Sequence, residues 1–191
     1  MKRMPHCLIA FSFLLLINAR IYGQEKGDHE FTIGYGVTST NKMANDVAGS
    51  FSGLFSLVTS SMETRSSGAF HLGYKYAVSK KIKIGAVVAH EELVDEFRNT
   101  YFSQSGEFSY GYTTIAIESD VRYILKENFQ MYSGLGLGYS IMSSDSYDDQ
   151  TNYMNFHLSA IGIRIGTVVA LRLELGIGYK GILNGGISVQ I

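Results

Sequence analysis

The chain has 191 residues, 16 basic against 17 acidic side chains, one cysteine and one proline. A formal charge of −1 leaves no basic surplus for a nucleic-acid partner, and one cysteine excludes a disulfide framework. No apolar run after residue 23 reaches the ~18 residues of a spanning helix.

Residues 1–23 differ from everything after them. Lys2 and Arg3 precede an apolar run, residues 7–17, broken only by Ser12, and Gly23 stands before Gln24. This is the layout of a secretory signal peptide, followed by one domain over residues 24–191. Removing Lys2, Arg3 and Arg20 leaves 13 basic against 17 acidic residues, a net of −4. Pro5 and Cys7 go too, so the mature chain holds 20 glycines and no proline. Proline cannot donate to a strand ladder, and a closed barrel has no edge strand to house it.

Residues 29–37 alternate as a first strand, with Phe31, Ile33, Tyr35 and Val37 opposite Glu30, Thr32, Gly34 and Gly36. A long connection, 38–67, follows. In it Met43, Val47, Phe51, Leu54, Phe55, Val58 and Met62 recur at three- and four-residue spacing, which predicts a short amphipathic helix. A second strand is expected over 69–78, a tight turn at Ser79 and Lys80, and a third strand over 81–91. Residues 92–107 are polar and read as a loop or strand extension. The fourth and fifth strands cover 108–125 and 129–142, and an acidic loop covers 143–150. Alternation in the sixth strand, 151–165, slips near 161–164, which predicts a bulge or an interfacial arginine. The last hairpin sets Leu171, Leu173, Leu175, Ile177 and Tyr179 against Arg172, Glu174, Gly176, Gly178 and Lys180, then repeats the pattern over 183–191.

Eight strands of about 9–15 residues, with short and long connections in alternation, predict an all-β, eight-stranded antiparallel up-and-down transmembrane β-barrel. A soluble barrel would turn its oily face inward. Here the other face is glycine plus single charges, a poor soluble surface but a workable inner wall. Phe31, Tyr76, Tyr112, Tyr123, Phe129, Tyr139 and Tyr179 gather towards strand ends and read as interfacial girdles.

Three stretches carry a family resemblance: Tyr132-Ser-Gly-Leu-Gly-Leu-Gly-Tyr139, Glu174-Leu-Gly-Ile-Gly-Tyr-Lys-Gly181 and Asn184-Gly-Gly-Ile-Ser-Val-Gln-Ile191. With them the chain resembles the small eight-stranded outer-membrane β-barrels of the OmpA/OmpX-like kind. The last stretch is similar to that family's assembly signal, its places filled by Asn184, Gly186, Val189 and Ile191. Ile191 stands where the family usually has an aromatic residue. The resemblance implies the outer membrane of a Gram-negative bacterium, recognition by the barrel assembly machinery, contact with outer-membrane lipid and lipopolysaccharide, and no appended peptidoglycan-binding domain.

An eight-stranded lumen is filled by side chains, so Lys75, Lys83, Glu118, Arg122, Arg172 and Glu174 are expected to form a lumen charge network rather than a gated path. No histidine pair has metal-site spacing, and no cofactor is expected. Some barrels of this size deacylate lipid A with a His-x-Ser pair and a glutamate. His157-Leu158-Ser159 and Glu174 offer those residue types. The strand pairing sets His157 opposite about Gly178, with Glu174 too far along for a relay. The expected function is structural, adhesive or envelope-interacting and non-enzymatic, with any extracellular partner met by loops 38–67, 92–107 and 143–150. A narrow, porin-like channel and a lipid A deacylase are the alternatives.

Overall fold

A computed structural model describes residues 24–43, 60–99, 104–144 and 151–191. The expected signal peptide and most of the expected 43–62 helix lie outside the described residues. Among the described residues, nine antiparallel strands form one sheet: β1 (His29–Val37), β2 (Ser60–Ser66), β3 (Ala69–Ala77), β4 (Ile82–Asn99), β5 (Gln104–Leu125), β6 (Phe129–Ser144), β7 (Thr151–Gly166), β8 (Val169–Gly178) and β9 (Leu183–Gln190). Eight of them close a ring in the order β4-β3-β1-β9-β8-β7-β6-β5, with β5 pairing back onto β4. The seam joins β1 to β9, from Glu30 opposite Gln190 to Val37 opposite Leu183. The architecture is a closed up-and-down barrel.

Side chains on a strand alternate between faces, and the ring sorts them by polarity. On β8, Val169, Leu171, Leu173, Leu175 and Ile177 are exposed on the outer wall, while Arg172 and Glu174 are buried. From Val169 to Ile177 is about 27 Å of strand, or about 20 Å of barrel height at a tilt of ~40°. The largest fully buried side chains include Arg122, Arg164, Lys83, Gln130 and Glu30. This is the reverse of a water-soluble core.

Three turns, at 78–81, 126–128 and 167–168, lie at one end of the barrel; the connections that follow β1, β4, β6 and β8 lie at the other. At the long-loop end the chain is more strand-rich than its polarity suggests. Residues 92–99 and 104–107 are a strand extension: β4 and β5 stay paired out to Asn99 and Gln104. They run roughly 30 Å past the His90–Thr113 pair at ~3.3 Å per residue. The 38–67 connection contains β2, which pairs with Leu93–Asn99 of β4 in line with β3. A helical turn does begin at Thr40, but Met62, expected as the helix's last apolar residue, is in β2 opposite Phe97. Pairing with an existing strand satisfies its backbone, which a lone helix end there would not.

The slip in the sixth strand is a bulge at Ala160, where β7 shifts register against both β6 and β8. Phe156 and Leu158 face outward before it, Ile161 and Ile165 after it. The extra residue changes which parity faces out, and that turns Arg164 inward. Ser133 Oγ donates to the Ala160 carbonyl at 2.7 Å. That bond repairs the backbone acceptor freed on the outer wall. Of the expected girdle residues, Phe31, Tyr76, Tyr123 and Tyr139 do stand on the outer wall, and Phe129 is half-buried. Tyr112 and Tyr179 point inside instead. Tyr112 is in phase with Thr114 and Ala116. Gly178, at φ +145°, ends β8 and lets the turn swing Tyr179 over the lumen.

Candidate functional site

Among the described residues, buried charge is concentrated in the barrel interior. Its first layer lies near the short turns and centres on Glu30 of β1, which is fully buried. Glu30 Oε2 accepts from Lys83 and from Arg122 Nη2, and Oε1 accepts from Arg172 Nη1 at 2.8 Å. Arg122 also donates to Gln130. Arg164 Nε is 3.9 Å from Glu30. Its guanidinium donates to the carbonyls of Gly166, Thr167 and Val168 and to Ser188 Oγ. Turn carbonyls thus carry part of a cation that no carboxylate fully matches.

The second layer is balanced. Lys75 Nζ sits 2.8 Å from Glu118 and 2.7 Å from Asp120. Lys180 Nζ lies 2.9 Å from both Glu118 and Glu174. Arg172 bridges the layers, with Nη2 2.7 Å from Glu174. Tyr132 donates to Glu174 at 2.6 Å and accepts from Arg172, whose guanidinium also lies 4.7 Å from the Tyr132 ring centroid. Tyr179 donates to Glu118 at 2.7 Å. Inner-wall glycines make room for these rings: a Cβ on Gly162 would meet the Tyr132 ring at 2.2 Å, and one on Gly136 the Tyr179 hydroxyl at 2.4 Å. Above lies a neutral layer, in which Ser140 Oγ shares a 2.6 Å bond with Thr114 and accepts from Asn155 at 2.9 Å.

Buried charges are costly unless paired and hydrogen-bonded. That is the chemistry of the arrangement: Coulombic pairing across strands fills the lumen. The void between His71, Lys75, Glu118 and Lys180 has room for about one water molecule.

The structure places Lys75, Lys83, Glu118, Arg122, Arg172 and Glu174 in this one network. It adds Glu30, Asp120, Arg164 and Lys180, with Tyr132 and Tyr179 as hydroxyl links. Glu30, Asp120 and Lys180 were in phase with the inner face and legible from alternation; Arg164 was hidden by the bulge. Asn184 is buried and donates to Glu174 at 3.2 Å. Gly186 lies against β1, where a Cβ would come 2.2 Å from the Ile33 carbonyl. Val189 is half-buried and Ile191 exposed.

His157 pairs with Gly178, yet Glu174 is closer than the sequence suggested. Its Oε2 accepts from Ser159 Oγ at 3.1 Å and lies 3.8 Å from His157 Nε2. The Ala160 bulge and the side chain's length bring it within reach. The order is serine to carboxylate, with no serine–histidine bond, and all three side chains are buried inside the wall. This is not the nucleophile–base–acid order that activates a hydroxyl. Among the described residues no group of three or more His, Cys, Asp or Glu is placed to hold a metal.

No protein-family model matches the chain, and no curated protein matches it. Among solved structures it is similar to the N-terminal β-barrel domain of Pseudomonas aeruginosa OprF, with 10% identity over 87% of this chain and 98% of that one and a TM-score of 0.46. It is also similar to Ail, the attachment invasion locus protein of Yersinia pestis, with 12% identity over 87% and 99% and a TM-score of 0.42. By its strand order and closure, the fold is a closed eight-stranded antiparallel up-and-down β-barrel.

Proposed function

We propose that this chain is an integral protein of a Gram-negative outer membrane, non-enzymatic, with a structural, adhesive or envelope-interacting role. One observation carries the reading: the apolar wall faces out and the paired charges face in. A surround of lipid suits that arrangement: it covers the apolar wall, and a closed barrel satisfies its backbone groups internally. Lipid and lipopolysaccharide are then the partners of the outer wall. Asn184, Gly186, Val189 and Ile191 are proposed as the signal read by the assembly machinery. An extracellular partner would meet the long-loop end, where β2, β4 and β5 stand clear of the wall.

The test is expression in a Gram-negative host. The protein should stay with the outer-membrane fraction through urea and alkaline washing, and unboiled samples should run differently from boiled ones on a gel. Recovery as a soluble, detergent-independent protein would overturn the proposal. The filled lumen argues against the channel alternative; purified barrel in a planar bilayer should give no conductance steps above the lipid background. Lipid A from cells making wild type and Ser159→Ala should be identical by mass spectrometry.

A further inference from the structure

At the long-loop end the lumen is crossed by chain that is not part of the wall. After β1 the backbone turns at Thr38, whose φ is +56°, a strained region for a β-branched residue. Ser39 and Asn41 then point back into the barrel, and both are buried. Ser39 Oγ donates to Glu91 Oε2, and Asn41 Nδ2 donates to the same oxygen at 3.2 Å. Across the mouth, Tyr153 and Asn155 donate to Asn41 Oδ1 at 2.7 and 3.0 Å, and Thr40 Oγ1 donates to Asn155 at 3.2 Å. The segment therefore spans from β4 to β7, on nearly opposite sides of the ring. Its root is pinned where Ile182 N donates to the carbonyls of Val37 and Thr38.

Glu91 is what the segment rests on. It is 1% exposed, and its third donor is Ser66 Oγ at the end of β2. Among the described residues these donors are two hydroxyls and one amide, with no cation. The two ends of the lumen are thus sealed differently. Near the short turns, cross-strand ion pairs belong to the wall itself. At the mouth, neutral hydrogen bonds hold a carboxylate that would regain water if the segment left, so release exchanges those bonds for bonds to water. It would also relieve Thr38.

We propose that residues 38–42 are a latch, held on Glu91 and Asn155, that closes the mouth and swings off without unpairing any wall strand. Release admits water and small polar solutes as far as the neutral layer at Thr114 and Ser140. The ion pairs below still block passage.

Cysteine accessibility tests this. Cys7→Ser removes the only native thiol, and Ser140→Cys places a reporter beneath the latch. A membrane-impermeant cationic methanethiosulfonate is applied to intact cells, with Ser109→Cys on the exposed β5 extension as the open reference. The reporter in the otherwise native chain should label far more slowly than the reference. Adding Ser39→Ala and Asn41→Ala, which leave every wall residue in place, should speed labelling about tenfold or more, the factor worth one ordinary hydrogen bond at the upper end of its range. The gel mobility of the folded barrel should not change. Equal rates with and without the two alanines, or a native-latch rate matching the reference, would overturn the proposal. If the alanine variant does not fold by gel mobility, Glu91→Gln decides. It keeps the shape but only one acceptor oxygen, and its labelling should be faster than that of the native-latch chain; an unchanged rate refutes the latch.

Discussion

Replacing Glu30 by glutamine asks whether the interior is held by charge or merely filled. Glu30 takes hydrogen bonds from Lys83, Arg122 and Arg172, with Arg164 at 3.9 Å, and all five side chains are buried. Glutamine keeps the shape and one acceptor oxygen but removes the carboxylate that, among the described residues, these cations share. Breaking a buried pair from one side costs about 3–5 kcal/mol, because the partner charges stay behind unpaired. With a urea slope of about 1–3 kcal/mol per molar, the unfolding midpoint should fall by roughly 1–5 M. The chain has no tryptophan, so the folded fraction is best followed by far-ultraviolet circular dichroism and gel mobility in lipid vesicles. Adding Arg122→Gln to Glu30→Gln should recover part of the loss, since it withdraws one stranded cation; the two sites are in direct contact and should not add. A drop below about 1 kcal/mol for Glu30→Gln would refute the reasoning and mean that water, not protein, neutralises this layer.

Other substitutions probe the wall. Leu173→Lys puts a charge at mid-height on the outer face and should destabilise the barrel in vesicles by about 2–4 kcal/mol; a neutral result by the same urea titration would deny that this face meets lipid. Ser133→Ala removes the donor to the bulge carbonyl at Ala160 and should cost about 1–2 kcal/mol in the same titration. Gly162→Ala forces a methyl against the Tyr132 ring, which Arg172 holds in place. A loss of about 1–3 kcal/mol is expected, and Tyr132→Leu in the same chain should return part of it.

Strand existence and facing were legible because alternation is a strict, local signal. Phe31 to Val37 and Val169 to Ile177 face outward because every second residue is apolar, and no tertiary information is needed to see it. The interior charges in phase with that pattern followed from it. What lay beyond local reading was whatever breaks the period. Ala160 adds one residue, so Arg164 joined the inner face against its apparent parity. Gly178 ends a strand in a left-handed conformation, so Tyr179 entered the lumen instead of a girdle. The β2 segment carries polar residues and no clean alternation; it is a strand because β4 extends far enough to pair with it. The approach of Glu174 to Ser159 depended on side-chain reach across a bulge, which spacing alone does not encode.

The β1–β9 seam ties strands from opposite ends of the sequence, and Glu30 fastens it from inside to Arg172. Closure therefore waits for the final strand to emerge, and until then the nascent sheet has two bare margins. Contacts between such distant segments form slowly. Until its two margins meet, the open sheet carries unpaired strand edges that are prone to sticking.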